Sequence, residues 1–320
     1  PEQIARFKVT VGKYLEFSGR HRAAIEQARG ALKSAAERPF GKLRMRSRRA
    51  RDEVRKSLML SLSKHAFAFA LLIASPAAAQ SVFLEELTSP EVEARIAKGA
   101  TTAIVPTGGT EQNGPHMALG KHNARVKVLS QQIARALGDA LVAPVLAYVP
   151  EGGITPPTGH MRFPGTITAP EAAFRQVLES AARSFKLHGF RNIVLLGDHA
   201  STQAGQRAVA ARLNREWAST PVRAHAIEEY YRAAEGDVPR LLKSRGYRDA
   251  ELGRHAGLTD TALMLATDSR MVRTDRLRPG HEGDGVDGDP TRATAELGRA
   301  GAELIVTRTV EAIRKSITHR

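Results

Sequence analysis

The stretch Asn192-Ile-Val-Leu-Leu-Gly197 runs directly into Asp198-His199-Ala200-Ser201-Thr202, and this junction decides the fold. Its apolar, β-branched character up to the glycine reads as a buried strand, and the helical spacing of apolar residues from Thr202 to Trp217 reads as the helix that follows it. The same unit recurs upstream. Ala103 to Pro106 and Ala140 to Val149 read as further buried strands, and Ala124 to Leu137, Pro170 to His188 and Thr291 to Ile313 as helices. Strand and helix in alternation predict a three-layer α/β/α fold around a mostly parallel central sheet. In such sheets the loops at the carboxyl ends of strands gather ligand-binding groups. Here those loops are Thr107 to His122, Glu151 to Thr168 and Asp198 to Thr202.

Composition narrows the chemistry. The 320 residues contain no cysteine, which excludes disulfide scaffolds and thiolate metal sites. Hydrophobic residues at 42% and charged residues at 25% are an ordinary globular balance. The formal charge of +15 is concentrated in residues 1–79, which hold 17 Lys and Arg against 6 Asp and Glu, leaving only +4 for the remainder. That remainder has no field arguing for phosphate binding, so no nucleic-acid partner is expected.

Within the basic segment, residues 66–74 (AFAFALLIA) form an apolar run too short to span a bilayer, preceded by Lys64 and followed by Ser75-Pro76-Ala77-Ala78-Ala79. This is the layout of a secretory signal peptide over 59–79, with Met59 as a start and cleavage after Ala79. A buried core helix is the alternative reading. Residues 1–58, Arg-dense from Arg44 to Arg55, read as a non-native or disordered extension. The expectation is a periplasmic or secreted folded domain over 80–320, with no membrane association once the signal is removed.

The first loop reads Thr107-Gly-Gly-Thr-Glu111-Gln-Asn113-Gly-Pro-His116-Met-Ala-Leu-Gly-Lys121-His122. Glu111, His116 and His122 on a glycine-rich loop are donors that Zn²⁺, Mn²⁺ or Fe²⁺ accept. His199, at a strand terminus, is placed to meet Glu111 from a neighbouring loop; an imidazole satisfied by local backbone is the competing reading, and spacing leaves the two level.

Taken together, four segments in order resemble the creatininase (creatinine amidohydrolase) family. They are Thr110-Glu111-Gln112-x-Gly114-Pro115-His116 with Leu119-Gly120, Phe163-Pro164-Gly165-Thr166 with His160 before it, His255-Ala256-Gly257-x-x-Asp260-Thr261, and Gly285-Val286-x-Gly288-Asp289-Pro290 followed by Ala293-Thr-Ala295-x-x-Gly298. The resemblance runs from about Leu87 to Glu311. It implies a metal-dependent hydrolase of small cyclic amides and formamides, an α/β fold, a homo-oligomer that is often a hexamer, and a site for two divalent ions. In the family pattern the first loop gives Glu-x-His-Gly-Pro-His and then Gly-x-Asp, with the Glu, the next His and the Asp as ligands. The third strand supplies a His and, in some members, a Glu two residues later.

Glu111 and His199 match that pattern, whereas Asn113 stands for the His, His122 for the bridging Asp and Ser201 for the second Glu. Imidazole offers one lone pair to one metal and cannot bridge two as a carboxylate does, so a second ion is disfavoured. The expected centre is one divalent ion, Zn²⁺ first and Mn²⁺ or Fe²⁺ next, on Glu111, His122 and His199. With Glu111, His255 is the expected catalytic residue, moving a proton to the leaving nitrogen, since imidazole titrates near neutrality. His160, Phe163 and Ser201 are expected at the substrate, while Asp198, Asp260 and His116 support the ligands, with Asp260 orienting a ligand imidazole. Lys121 reads as a solvated surface residue and Trp217 as core packing.

The function expected is cleavage of a C–N bond in a small amide, lactam or cyclic amide by metal-activated water. The alternative is a catalytically decayed member of the family with a binding or structural role, favoured by the weak donors at Asn113 and Ser201.

Overall fold

Four parallel strands form the sheet in the order β2-β1-β3-β4. They are β1 (Thr102–Thr107), β2 (Ala140–Val142), β3 (Asn192–Gly197) and β4 (Arg223–Ala226). Register pairs Thr102 with Asn192 through Thr107 with Gly197, so the first and third strands end level. The computed structural model describes residues 81–318. The extension 1–58 and the signal-like run ending at Ala79 lie outside the described residues.

Side chains alternate across β1 and β3. Ile104, Val194 and Leu196 enter one core with Val126, Leu129 and Ile133 of α2 (Lys121–Leu137), Leu263 of α8 (Leu258–Thr267) and Ile305 and Ile313 of α9 (Ala295–Thr318). Val105, Ile193 and Leu195 enter another with Phe174 and Leu178 of α3 (Glu171–Leu187) and Val209 and Leu213 of α4 (Thr202–Glu216). Each such buried side chain contributes about 1.5–3 kcal/mol. The result is the three-layer α/β/α arrangement. A further helix, α1 (Ser89–Ala97), flanks a small cluster of Ala103, Leu141 and Phe190. Trp217 is buried in the second core, as expected.

Two elements differ from the sequence expectation. The strand expected over 140–149 ends at Val142, because Pro106, next in the β1 ladder, has no N–H to donate to the Ala143 carbonyl, and pairing resumes only as a single bridge between Leu146 and Thr107. The strand β4 was not expected. It is short, lies at the sheet edge and contains Arg223 and His225, so it lacks the apolar run that marks a central strand. Residues 227–254, unreadable in sequence, form α5 (Glu229–Arg232), a π turn (Ala233–Asp237), α6 (Val238–Ser244) and α7 (Asp249–Leu252). Among the described residues no helix is long and apolar enough to cross a membrane.

Candidate metal centre

The chain leaves β1 for β2 on one side and reaches β3 on the other, so the order reverses between β1 and β3. A crevice opens at the carboxyl ends of strands at such a reversal. The β1–α2 loop brings Glu111 and, at the start of α2, His122; the loop after β3 brings His199.

These three meet. Glu111 is fully buried, with Oε1 2.7 Å from His122 Nε2 and Oε2 3.1 Å from His199 Nε2. Their donor atoms all lie within 4.8 Å of one another, as do those of a second set, Glu111, His160 and His255. Burial raises the Glu111 pKa, but His122, His199 and Lys121 outweigh it and hold the carboxyl well below the usual range. His122 is depressed by burial and Lys121, yet its bonds to Asp198 and Glu111 prevail and leave it raised. His199 is lowered, chiefly by burial.

Asp198 takes the supporting position expected of it. Its Oδ1 sits 2.5 Å from His122 Nδ1, Arg125 donates to both its oxygens, and the Tyr230 hydroxyl donates to Oδ2. Asp260 does not orient a ligand imidazole. It accepts from Lys121 Nζ at 2.9 Å, from Arg125 Nη1 at 2.7 Å and from the Ala256 N–H at 3.0 Å. Lys121 is accordingly not a surface residue. It is 1% exposed, and its ammonium also lies 3.6 Å from Glu111 Oε1. The first turn of α2 points inward, and Asp260 supplies the counter-charge that makes burying a lysine tolerable.

Ser201, expected at the substrate, has its hydroxyl 2.7 Å from His199 Nδ1 and holds that ring. The Ser201 N–H approaches the same nitrogen at 3.2 Å. His116 supports none of the three residues directly; its Nε2 lies 3.1 Å from Thr261 Oγ1 on α8. Asn113 braces the loop, donating to the carbonyls of Glu111 and Ala118.

Over the other side of Glu111 lies a cleft of about 620 Å³, lined by Gln112, His160, Phe163, His255 and the glycine-rich segment 280–288. Gln112 Oε1 accepts from the Gly114 N–H, while Nε2 donates to the Gly285 carbonyl and faces His160 Nδ1 at 2.9 Å. An amide nitrogen only donates, so His160 Nδ1 accepts, and the neutral ring keeps its hydrogen on Nε2, 3.2 Å from Glu111 Oε2. This makes His160 a donor at the carboxylate. His255 Nε2 donates to the Gln112 carbonyl at 2.9 Å, leaving the Nδ1 lone pair 3.7 Å from Glu111 Oε1. Burial and Lys121 depress the His255 pKa to about 4, below the near-neutral range expected from the residue type. Ala256, next to it, adopts a left-handed φ of +54° that its N–H bond to Asp260 helps to hold.

One residue of the site was not anticipated. Glu151, first in the loop after the second predicted strand, is buried with Oε2 3.1 Å from His199 Nε2. Neither carboxyl oxygen has a hydrogen-bond partner. Burial and the Glu111 charge raise its pKa to about 8. An acid at a strand's carboxyl end ahead of Gly152-Gly153 was the available signal.

A parallel sheet that collects carboxylates and imidazoles at its reversal point can seat a divalent ion in an α/β fold. Residues 85–313 match the family model described as creatininase, creatinine amidohydrolase. The chain belongs to the creatininase family. It is 28% identical over 201 residues to the creatinine amidohydrolase of Pseudomonas putida, covering 62% of this chain and 76% of that protein. It is also 28% identical over 227 residues to the mycofactocin precursor peptide peptidase of Mycolicibacterium smegmatis, covering 63% and 80%. A creatinine amidohydrolase crystal structure superimposes with a TM-score of 0.63 at 25% identity, covering 76% of this chain and all of that one.

Proposed function

We propose that this protein hydrolyses a C–N bond of a small amide, lactam or cyclic amide with one divalent ion, Zn²⁺ first and Mn²⁺ or Fe²⁺ next, held by Glu111, His122 and His199. The observation that carries this reading is the convergence of those three donors within 4.8 Å of one another. The donors suit the ion. Asp198 holds one His122 hydrogen on Nδ1, so Nε2, 2.7 Å from Glu111 Oε1, is the nitrogen that an ion would take in exchange for its proton. Unpartnered oxygens on buried Glu151 mark the same place as short of positive charge. Related solved structures described as creatininase Mn and as a Zn-Zn type mutant creatininase support the choice of metals.

When bound, the ion supplies Lewis-acid polarisation of a carbonyl and activation of water. The protein does the rest. Asp198 and Ser201 aim the two imidazoles. His160 Nε2–H holds Glu111 from the cleft side, Phe163 gives an apolar wall, and His255 Nδ1 has an unshared lone pair that receives a proton from water and returns it to the leaving nitrogen. A single ion is favoured because His122 stands where a bridging carboxylate would be needed, and an imidazole nitrogen serves one metal only.

A second reading, a peptide as the substrate, is favoured by the likeness to the mycofactocin precursor peptide peptidase and by the open cleft beside Glu111. Export to the periplasm or beyond is supported by the residue pattern at 64–80, and a homo-oligomer, a hexamer included, by family resemblance. The deciding experiment is metal analysis of the purified chain together with hydrolysis of cyclic amides, linear amides and short peptides, for wild type and Glu111→Ala. One equivalent of metal and amide hydrolysis, both lost in the variant, is expected. Two equivalents overturn the single ion, and a metal-free, inactive wild type favours the decayed alternative.

A further inference from the structure

The loop after β3 has no carboxylate at Ser201, but a second carboxylate reaches the His199 imidazole from another loop. We propose that Glu151, reaching in from the loop after β2, is a fourth protein ligand of the divalent ion. This assignment rests on the one-ion reading above and adds a residue to it.

Its geometry is specific. Glu151 Oε2 and Glu111 Oε2 each lie 3.1 Å from the same atom, His199 Nε2. One imidazole nitrogen carries at most one hydrogen, so it cannot satisfy both carboxylates, and the Glu151 oxygens are left with no donor. Adjacent donors on a common Zn²⁺, bound at about 2.0–2.2 Å, stand roughly this far apart.

The backbone is built to deliver the side chain. The Glu151 N–H donates to Thr168 Oγ1 at 3.0 Å, and the Ala169 N–H to the Val149 carbonyl, pinning both ends of the loop. Gly109 leaves the space Glu151 enters. A Cβ there would stand 2.5 Å from Oε1, and its φ of +155° suits glycine.

Charge agrees with the count of ions. In the ion-bound state, with the carboxyls ionised and the ligand imidazoles neutral, Glu111, Glu151, Asp198 and Asp260 would face the buried cations Lys121 and Arg125, a net of two negative charges. A single dication cancels them, and without Glu151 it would leave an excess of positive charge. Unpaired buried charge is expensive in either sign.

The test is titration of metal-free full-length protein with Zn²⁺ and Mn²⁺ by calorimetry, with thermal melts of the metal-free and loaded states, for wild type, Glu151→Gln and Glu151→Asp. Glu151→Gln is expected to bind one ion more weakly by over the roughly 10–100-fold that loss of an outer partner costs. Its metal-free form should melt at or above the wild-type temperature, because an unpartnered carboxyl has been removed, while its gain in melting temperature on loading shrinks. Glu151→Asp should retain part of the affinity. A Glu151→Gln protein with wild-type affinity and wild-type stabilisation by metal overturns the assignment and leaves the one-ion reading standing. Wild type that binds no ion overturns both.

Discussion

Asp198 Oδ1 stands 2.5 Å from His122 Nδ1 while Arg125 clamps the same carboxylate through Nε and Nη2. The imidazole is therefore fixed by a group that is itself fixed, and its Nε2 can only face Glu111.

Replacing Asp198 by Asn keeps a hydrogen-bond acceptor for His122 but removes the charge that balances buried Arg125. Metal affinity should fall about 10–100-fold, and stability by about 3 kcal/mol. Calorimetric titration and urea unfolding measure the two effects separately. An unchanged affinity would show that His122 needs no anchoring.

Lys121 distinguishes a buried cation from a solvated one. Substitution by Met fills the same space without the ammonium, leaving Glu111 without a buried counter-charge and Asp260 with Arg125 alone. A loss of about 3 kcal/mol is expected, against under 0.5 kcal/mol for a surface lysine. Equilibrium urea unfolding decides between them.

Gly285 carries a φ of +78°, and a Cβ there would fall 2.0 Å from Gln112 Oε1. Gly285→Ala should therefore displace Gln112, release His160 Nδ1 and raise KM for whichever amide is cleaved, while metal content is unaffected. A matched fall in metal content would instead place Gln112 among the groups that build the centre.

The acid limb of stability has a source distant from the site. Backbone and side-chain bonds from Arg248 and a bond from Arg292 lower the Glu251 pKa to about 2 from an ordinary 4.5. A depressed folded-state pKa gives stabilisation that is complete above 4.5 and lost as pH falls toward 2. Glu251→Gln should be less stable than wild type at pH 7, with the difference narrowing between pH 4.5 and 2. Melts recorded across that range check it; a pH-independent difference would assign the effect to packing.

Much of the layered fold was legible because β1 and β3 are unbroken apolar runs and α2, α3 and α4 keep helical spacing next to them. β4 and residues 227–254 were not, since an edge strand with Arg223 and His225 and a series of short helices carry neither pattern.

At the site, the strand ends marked the loops that carry Glu111, His122 and His199 as places where polar groups collect, but it was the resemblance to the creatininase family that singled out these three. The lysine beside them could not be read, because which way a side chain leaves the first turn of a helix depends on what packs there. Nor could Glu151, since residues 151 and 199 become neighbours only when β2 and β3 flank β1.

Residue order by itself determined the alternation of strand and helix, and with it the edge of the sheet on which polar groups collect. Tertiary structure alone decided their partners: Asp198 to His122, Ser201 to His199 and Asp260 to Lys121. The physical reason is range. Periodicity is set by neighbours a few residues apart along the chain, whereas hydrogen bonds and buried charges are settled within a few ångströms, between atoms that only the closed fold brings into reach.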